Sequence, residues 1–523
     1  MQQDPERTVA DARARIEALR RSLAGGGAPP ELIETHISWI LLHGRTAWKF
    51  KKPVRLPFLD WRTLAARRRD AEEELRLNAR LAPQLYRDCV DVHDGPGGPT
   101  LGGSGPVVDV ALRMRRFADG ALWRERIVAG RLQPAEVDRL AERLARFHAQ
   151  AAVAAPASGY GSAAVQRHVV ADLAEALDAW CATPSGRAQA GAWQALRGWL
   201  GTELERLAPL WAERLAGGRV REGHGDLHLA NLLTLDDGEA TAFDALEFDP
   251  ALRWIDVLHD LAFALMDLIA HGAPALAWRL LDGYLAHGGD HAGLPALRFW
   301  LVCRALVRAR VAMLGPLPRG TPDAAGYLAL ACALAQPAAA RLAITAGLPG
   351  SGKSHVALQL LQAAGAIRIR SDVERKRLHG LAPLQASDGT IYDRASTART
   401  YARLLQLARA ALAAGWPVIV DAAFLQAGER AAFAALAAQQ RVPFAVLWCE
   451  APADLLRTRV TARMQRRDDP SEADAAVLER LLPHAPRPAT AEQPHLLRID
   501  TAQPLAADAL DARWRAASCP SAE

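Results

Sequence analysis

The segment Gly347-Leu348-Pro349-Gly350-Ser351-Gly352-Lys353-Ser354 fits the pattern G-x-x-x-x-G-K-[S/T]. It lies where that pattern has physical meaning, after an apolar run at 342–346 that reads as a strand and before a stretch of helical periodicity. Glycines let the backbone wrap its N–H groups around phosphate oxygens, and the N-terminus of the following helix adds its dipole. The Lys353 ammonium suits the terminal phosphates and the Ser354 hydroxyl suits Mg²⁺. Gly347, Gly350, Ser351, Gly352, Lys353 and Ser354 are therefore the expected nucleotide-binding set. Such a loop belongs in a parallel sheet with crossover helices. Strand-like runs at 367–369, 418–420 and 444–449 alternate with helical stretches as that sheet requires.

Two of these runs end in acids, Ile367-Arg368-Ile369-Arg370-Ser371-Asp372 and Val418-Ile419-Val420-Asp421. At the carboxyl end of an open sheet both acids lie beside the phosphates. Asp372 is placed to take a proton from an acceptor hydroxyl, and Asp421 to hold Mg²⁺ or its water. Either acid taken alone also reads as a helix N-cap. Arg457, Arg459, Arg463, Arg466 and Arg467 crowd one later helix and its end, as a phosphate-clamping lid or as a solvated face.

On GLPGSGKS, IRSDVERKRL, VIVDAAF and the Arg-rich helix, residues 342–500 resemble the small P-loop kinases related to phage polynucleotide kinase, the zeta toxins and chloramphenicol phosphotransferase. The resemblance implies that Asp372 is the base and that Arg375 orients the acceptor. The segment Pro470-Ser471-Glu472-Ala473-Asp474 is looser than the SDA-like motif of those families, so the acceptor stays open. No sensor or arginine-finger segment follows Asp421, which argues against a motor ATPase.

A second constellation lies upstream. His224-Gly225-Asp226-Leu227-His228-Leu229-Ala230-Asn231 sets an acid five residues before an amide, and Phe243-Asp244 follows thirteen residues after the amide. Phosphoryl transfer on a kinase-like fold needs a base and two oxygen ligands for Mg²⁺, and this spacing provides them. It resembles the aminoglycoside phosphotransferase/choline kinase-like family. That resemblance implies Asp226 as catalytic base, Asn231 and Asp244 as metal ligands, and His224 as a support for the loop. Asp256 and Asp260 then brace the loop, or form an ordinary helix pair.

Only five of the 63 Lys and Arg residues are lysines, and three of them lie in Trp48-Lys49-Phe50-Lys51-Lys52. Alternation in a strand puts Lys49 and Lys51 on one face, with Trp48 and Phe50 on the other. Either lysine can meet Glu72, Glu73 or Glu74 on the next helix, and the pair chosen for the nucleotide is Lys49 with Glu74. A solvated basic strand edge is the competing reading. Arg113–Phe117 is the expected hinge between lobes. No G-x-G-x-x-G precedes the lysines, only His43-Gly44-Arg45, and the glycine-rich run 95–106 reads as a hairpin connection.

The expected organisation is an N-terminal helix and linker at 1–30, a bilobal protein-kinase-like domain at 31–336, and a P-loop domain at 337–523. The second domain is a parallel sheet with helices on both faces, so the chain as a whole is α/β and α+β. The whole chain resembles a bacterial family of fused phosphotransferase-like and P-loop ATP-binding proteins.

A net charge of +5 over 523 residues does not demand nucleic acid, and 50% hydrophobic content excludes bulk disorder. Six scattered cysteines without a C-x-x-C pair argue against zinc or a disulfide framework. With no apolar leader and no run long enough to span a bilayer, a cytoplasmic protein without a membrane partner is expected. ATP and Mg²⁺ are the expected cofactors and a small-molecule hydroxyl compound the expected acceptor. Oligomeric state is not readable. A nucleotide-sensing regulator is the alternative. Aromatics between Arg370 and Arg467 are too sparse for a nucleic-acid groove, which ranks a 5′-hydroxyl kinase of nucleic acid third.

Overall fold

A computed structural model of the chain describes residues 5–25, 27–56, 59–315, 318, 320–336, 339–466, 468–485 and 487–520. Arg467 and the expected boundary at residue 337 lie outside them. The chain divides into two compact units, one of Met1–Arg143, Phe147–His168 and Ala208–Asp267, the other of Leu144–Arg146, Val169–Leu207 and Leu268–Glu523. Compactness therefore groups the helices Pro274–Gly288, Leu294–Met313 and Ala324–Ala335 with the P-loop sheet, whereas the sequence boundary marks only where the strand–loop–helix pattern begins. Among the described residues no helix is long and apolar enough to cross a membrane.

The first unit is built on an antiparallel sheet in the order Glu31–Glu34, Ser38–His43, Thr46–Lys51, Val107–Arg115, Tyr86–His93, Thr100–Leu101. Alternation decides its two faces. Trp39, Leu41, Phe50 and Ala111 bury one face against Ala12, Ile16 and Leu19 of the N-terminal helix Pro5–Ala24. Ala47, Leu112 and Met114 point the other way, into a core with Tyr86 and Leu233. The helix Leu64–Asn78 starts at Thr63, whose hydroxyl accepts from the Ala66 N–H, and packs on the strand Val107–Arg115. The run 95–106 connects Tyr86–His93 to Val107–Arg115, and its residues Thr100 and Leu101 pair with His93 and Val92. Further on come two short antiparallel pairs, Val220–Glu222 with Trp254–Asp256 and Leu232–Thr234 with Ala240–Ala242.

In the second unit five strands are all parallel, in the order Ile367–Arg370, Val418–Asp421, Leu342–Ala346, Phe444–Glu450, Leu496–Asp500. One face packs Ala343, Ile419 and Leu447 against Val356 and Leu360 of the helix Lys353–Ala364 and Trp514 of Ala507–Arg515. The helices Arg394–Ala413 and Ala427–Gln440 also pack on the sheet, and Arg430 of the latter lies over the Trp448 ring. This order places the phosphate loop at the end of the central strand, with the strand ending in Asp421 beside it and, one place further out, the strand Ile367–Arg370 running into the helix that carries Asp372.

Candidate active sites

In the first unit the lysine strand and the helix Leu64–Asn78 meet through charge. Lys49 Nζ lies 2.7 Å from Glu74 Oε1 and 2.6 Å from Asp244 Oδ1. Lys51 also reaches this group, donating to Glu74 Oε2 at 2.8 Å and to Glu247. Of the neighbouring acids, Glu72 is exposed and Glu73 pairs with Arg76 and Arg253. Burial alone would pull the Lys49 ammonium down, but Asp244, Glu74 and Glu247 outweigh it and hold its pKa well above the usual lysine value. Burial likewise acts against the Glu74 carboxylate, and the two lysines reverse it, keeping this acid ionised.

Asp244 has φ 63°, a left-handed conformation unusual outside glycine, and its side chain is 41% exposed. Side chains hold that backbone in place: the Tyr86 hydroxyl accepts from the Asp244 N–H at 3.1 Å, and Asn78 Oδ1 from the Ala245 N–H at 2.9 Å. Beside Lys49 and Asp244 lies a cavity of about 400 Å³ with apolar walls from Ile40, Leu42, Ala47, Met114 and Phe117, the last two from the expected hinge. The turn that precedes Ser38–His43 is closed without glycine. Thr35 Oγ1 accepts from the Ser38 N–H at 2.9 Å, and Lys52 Nζ donates to Glu34 and to the Thr35 carbonyl.

The loop His224–Asn231 is shaped by groups on and behind it. Asn231 Nδ2 donates to both Asp226 O and Asp226 Oδ2 at 3.0 Å, and His228 Nε2 lies 3.3 Å from Asp226 Oδ2. Asp260 accepts the His224 and Gly225 N–H groups at 2.7 and 2.9 Å and meets His148 Nε2 at 3.1 Å. Asp260 thus braces the loop, as does Asp267 through the Leu229 N–H at 2.8 Å. Asp256 instead pairs with Arg214 and accepts from the Leu258 N–H. His224 Nδ1 accepts from the Asp226 N–H while Nε2 donates to the Phe243 carbonyl, an arrangement that only a neutral ring can make. Burial, the largest influence, accordingly pushes its pKa below the usual histidine value against the pull of Asp260 and Asp226.

In the second unit the loop takes the conformation its glycines permit. Gly347, Gly350 and Gly352 all have positive φ, and a Cβ on Gly347 would stand 2.5 Å from the Cys449 carbonyl. Lys353 Nζ donates to the carbonyls of Gly347 and Leu348 at 3.0 and 2.8 Å, and burial draws its pKa down. Ser351 Oγ and Asp421 Oδ2 are buried without a hydrogen bond, and Asp421 Oδ2 faces Arg370 Nε at 3.4 Å. Such orphaned oxygens fit a site completed by a cation and phosphates. Among the described residues there is no cluster of three His, Cys, Asp or Glu to hold a metal alone, and Mg²⁺ is ordinarily shared between one or two carboxylates and substrate phosphates.

Asp372 lies in the first turn of the helix Ser371–Leu378, and burial pushes its pKa up against the pull of Arg370. Arg375 is committed to the segment beyond that helix, donating to the Ile391 carbonyl at 2.9 Å and Thr397 Oγ1 at 3.2 Å with its guanidinium over the Tyr392 ring. The Arg-rich helix Ala453–Arg466 divides. Arg459, Arg463 and Arg466 line a cavity of about 600 Å³ together with Gly350, Gly352, Lys353 and Ser354, while Arg457 pairs on the surface with Asp454 and Glu479. Sequence reasoning missed Glu247, Tyr86 and His228 in the first site. It also missed Asp469, which pairs with Arg370, and Glu472, which ties Lys376 to Ser387.

These two sites are those of a kinase-like phosphotransferase fold and a P-loop kinase-like fold on one chain. A family model described as "Phosphotransferase enzyme family" matches residues 54–300, and one described as "AAA domain" matches residues 342–488. The uncharacterized protein Rv2004c of Mycobacterium tuberculosis is 33% identical over 479 residues, covering 90% of this chain and 92% of that protein. The uncharacterized protein Mb2027c of Mycobacterium bovis aligns with the same identity and coverage. The chain belongs to the family of these mycobacterial proteins, joining a phosphotransferase domain of the aminoglycoside phosphotransferase and choline kinase type to a P-loop kinase-like domain. Among solved structures, a choline/ethanolamine kinase family protein from Mesorhizobium loti is 15% identical, covers 62% of this chain and 94% of its own, and has a TM-score of 0.34. A gluconokinase from Sinorhizobium meliloti is 21% identical, covers 35% of this chain and 96% of its own, and has a TM-score of 0.25.

Replacing Lys51 by methionine leaves Glu74 and Glu247 buried with too little positive charge. Lys51→Met is expected to cost about 3–5 kcal/mol in chemical denaturation, the scale for breaking a buried ion pair. A second expectation concerns pH. The unfolded chain protonates His224 from about pH 6.5 downwards while the folded ring resists, so stability is present above that range and declines as pH falls through it. Urea midpoints should therefore drop between about pH 7.5 and pH 5.5, and His224→Asn should make the drop shallower.

Proposed function

We propose that both sites transfer the γ-phosphate of Mg·ATP to hydroxyl acceptors. The observation that carries this reading is Lys49, fixed between Glu74 at 2.7 Å and Asp244 at 2.6 Å beside an apolar cavity of adenine-compatible character. Lys49 then holds the nucleotide phosphates and Glu74 holds Lys49. Asp226 takes the proton of the acceptor hydroxyl as its oxygen attacks phosphorus, with Asn231 and His228 fixing the carboxylate in direction. Asn231 and Asp244 would hold Mg²⁺ in this site, and Ser354 and Asp421 in the other. When bound, the ion neutralises charge on the transferring phosphates.

In the P-loop site the backbone of Gly347–Ser354 wraps the phosphates, and Lys353 exchanges its own loop carbonyls for phosphate oxygens. Asp372 serves as base, its raised pKa favouring proton uptake. Arg375 orients the acceptor indirectly, by holding the segment 390–397 that carries Tyr392. The acceptor is a small hydroxyl compound rather than nucleic acid. Six free cysteines support a cytoplasmic setting. The non-glycine turn at Thr35 is the one feature that favours the sensor reading, in which a nucleotide is held and turned over slowly.

ADP release from Mg·ATP, measured with pooled hydroxyl metabolites, aminoglycosides and 5′-hydroxyl oligonucleotides, decides between them. Acceptor-stimulated turnover is expected, falling about 10²–10⁴-fold in Asp226→Asn or in Lys353→Ala according to which site uses that acceptor. A slow background that no acceptor raises and neither substitution lowers would favour the sensor instead.

A further inference from the structure

Of the two arginines in the strand Ile367–Arg370, Arg368 has no part in the chemistry above, yet it is buried and fully engaged. Its Nε and Nη2 donate to Asp282 Oδ1 and Oδ2 at 3.1 and 2.6 Å, a bidentate pair whose side chains are only 7% and 10% exposed. Its Nη1 donates to the Ser354 carbonyl at 3.1 Å and lies 3.8 Å from Asp421 Oδ2. One guanidinium therefore touches both residues assigned to Mg²⁺ in the P-loop site.

Asp282 does not come from the P-loop module. It lies on the helix Pro274–Gly288, outside the residues 342–488 that match the AAA-domain model and inside the 54–300 that match the phosphotransferase model. That helix is fastened here by other contacts of the same unit. Arg377 donates to the Ala286 carbonyl at 2.6 Å, Gln362 to the Ala275 carbonyl, and Trp278 packs where a Cβ on Gly365 would stand.

A planar guanidinium held by its Nε edge cannot turn, so Asp282 fixes which way Nη1 points. It also neutralises a buried cation. Without it the nearest carboxylate oxygen for Arg368 is Asp421 Oδ2, the buried atom that makes no hydrogen bond of its own. Arg370 already stands 3.4 Å from that oxygen but is balanced by Asp469 at 2.9 Å. A second, unbalanced arginine there would compete with a divalent ion for the same oxygen.

We propose that Asp282 is a positioning residue of the P-loop metal site: by holding Arg368 in a bidentate pair, a helix outside the P-loop module keeps Asp421 open to Mg²⁺ and the first turn bearing Ser354 in place. This rests on the reading of Gly347–Ser354 as a Mg·nucleotide site. The test is binding of a fluorescent ADP analogue to the full-length chain, titrated with Mg²⁺ and repeated in EDTA, the P-loop component being the part lost in Lys353→Ala. Asp282→Asn is expected to raise the Mg²⁺ concentration for half-maximal binding about tenfold, the scale for losing a partner of a metal ligand, with Mg-free affinity within about twofold. Asp282→Glu should restore most of the Mg²⁺ response. Arg368→Gln with Asp282→Asn leaves no unbalanced buried charge, so it should fold, and adding Asp282→Asn to Arg368→Gln should shift the Mg²⁺ dependence no further. An unchanged Mg²⁺ dependence in Asp282→Asn, equal losses with and without Mg²⁺, or a further shift in the double variant would overturn the proposal. A Lys353→Ala chain that loses no nucleotide binding would overturn the nucleotide reading itself, and this inference with it.

Discussion

Four buried charges, Lys49, Lys51, Glu74 and Glu247, set the geometry on which the first site depends. A buried ion is tolerated only where opposite charge and hydrogen bonds replace water. Each lysine therefore spans two carboxylates, and Glu74 spans both lysines. Satisfying all four at once requires the helix Leu64–Asn78 to lie against the lysine strand and the segment 244–247 to come within reach of the same strand. The left-handed backbone of Asp244 is a consequence, held by Tyr86 and Asn78. Charge balance thus fixes the positions of both lysines.

The same rule operates in the P-loop unit with different residues. Arg368 and Arg370 crowd one carboxylate, Asp421, and each is balanced by a further acid, Asp282 or Asp469. Neither balancing acid lies in a recognisable motif. Both are separated from their arginine by more than eighty residues of chain. A phosphate loop can thus be complete in its own eight residues while the charge around its metal position is set from elsewhere in the fold.

This explains which parts were legible in sequence. The phosphate loop was readable because strand, glycines and helix are contiguous, and His224–Asn231 because its spacing is local. Strand alternation put Lys49 and Lys51 on one face but could neither separate them nor select Glu74 from Glu72 and Glu73, and Glu74 binds both lysines. Glu247, Tyr86 and Asp282 act through long-range contacts that carry no local periodicity. Among the elements, the strands Glu31–Glu34 and Leu496–Asp500 went unread because they are short edge strands, the first mostly exposed and the second with a single buried residue, Ile499, where hydrophobic alternation fades. Tyr86–His93 was missed for another reason: Arg87, Asp88 and Asp91 interrupt its apolar positions, and its pairing to Val107–Arg115 is irregular. The lysine bias proved informative: Lys51, Lys52 and Lys376 are buried and each pairs with a carboxylate.

The central claim is that one chain carries two separate nucleotide sites, each organised by its own lysine. Calorimetric titration of the full-length protein with a non-hydrolysable Mg·ATP analogue tests it most directly. The account predicts two nucleotides per chain, one lost in Lys353→Ala and the other lost in Lys49→Met. A stoichiometry of one, or two sites that survive either substitution, would contradict it.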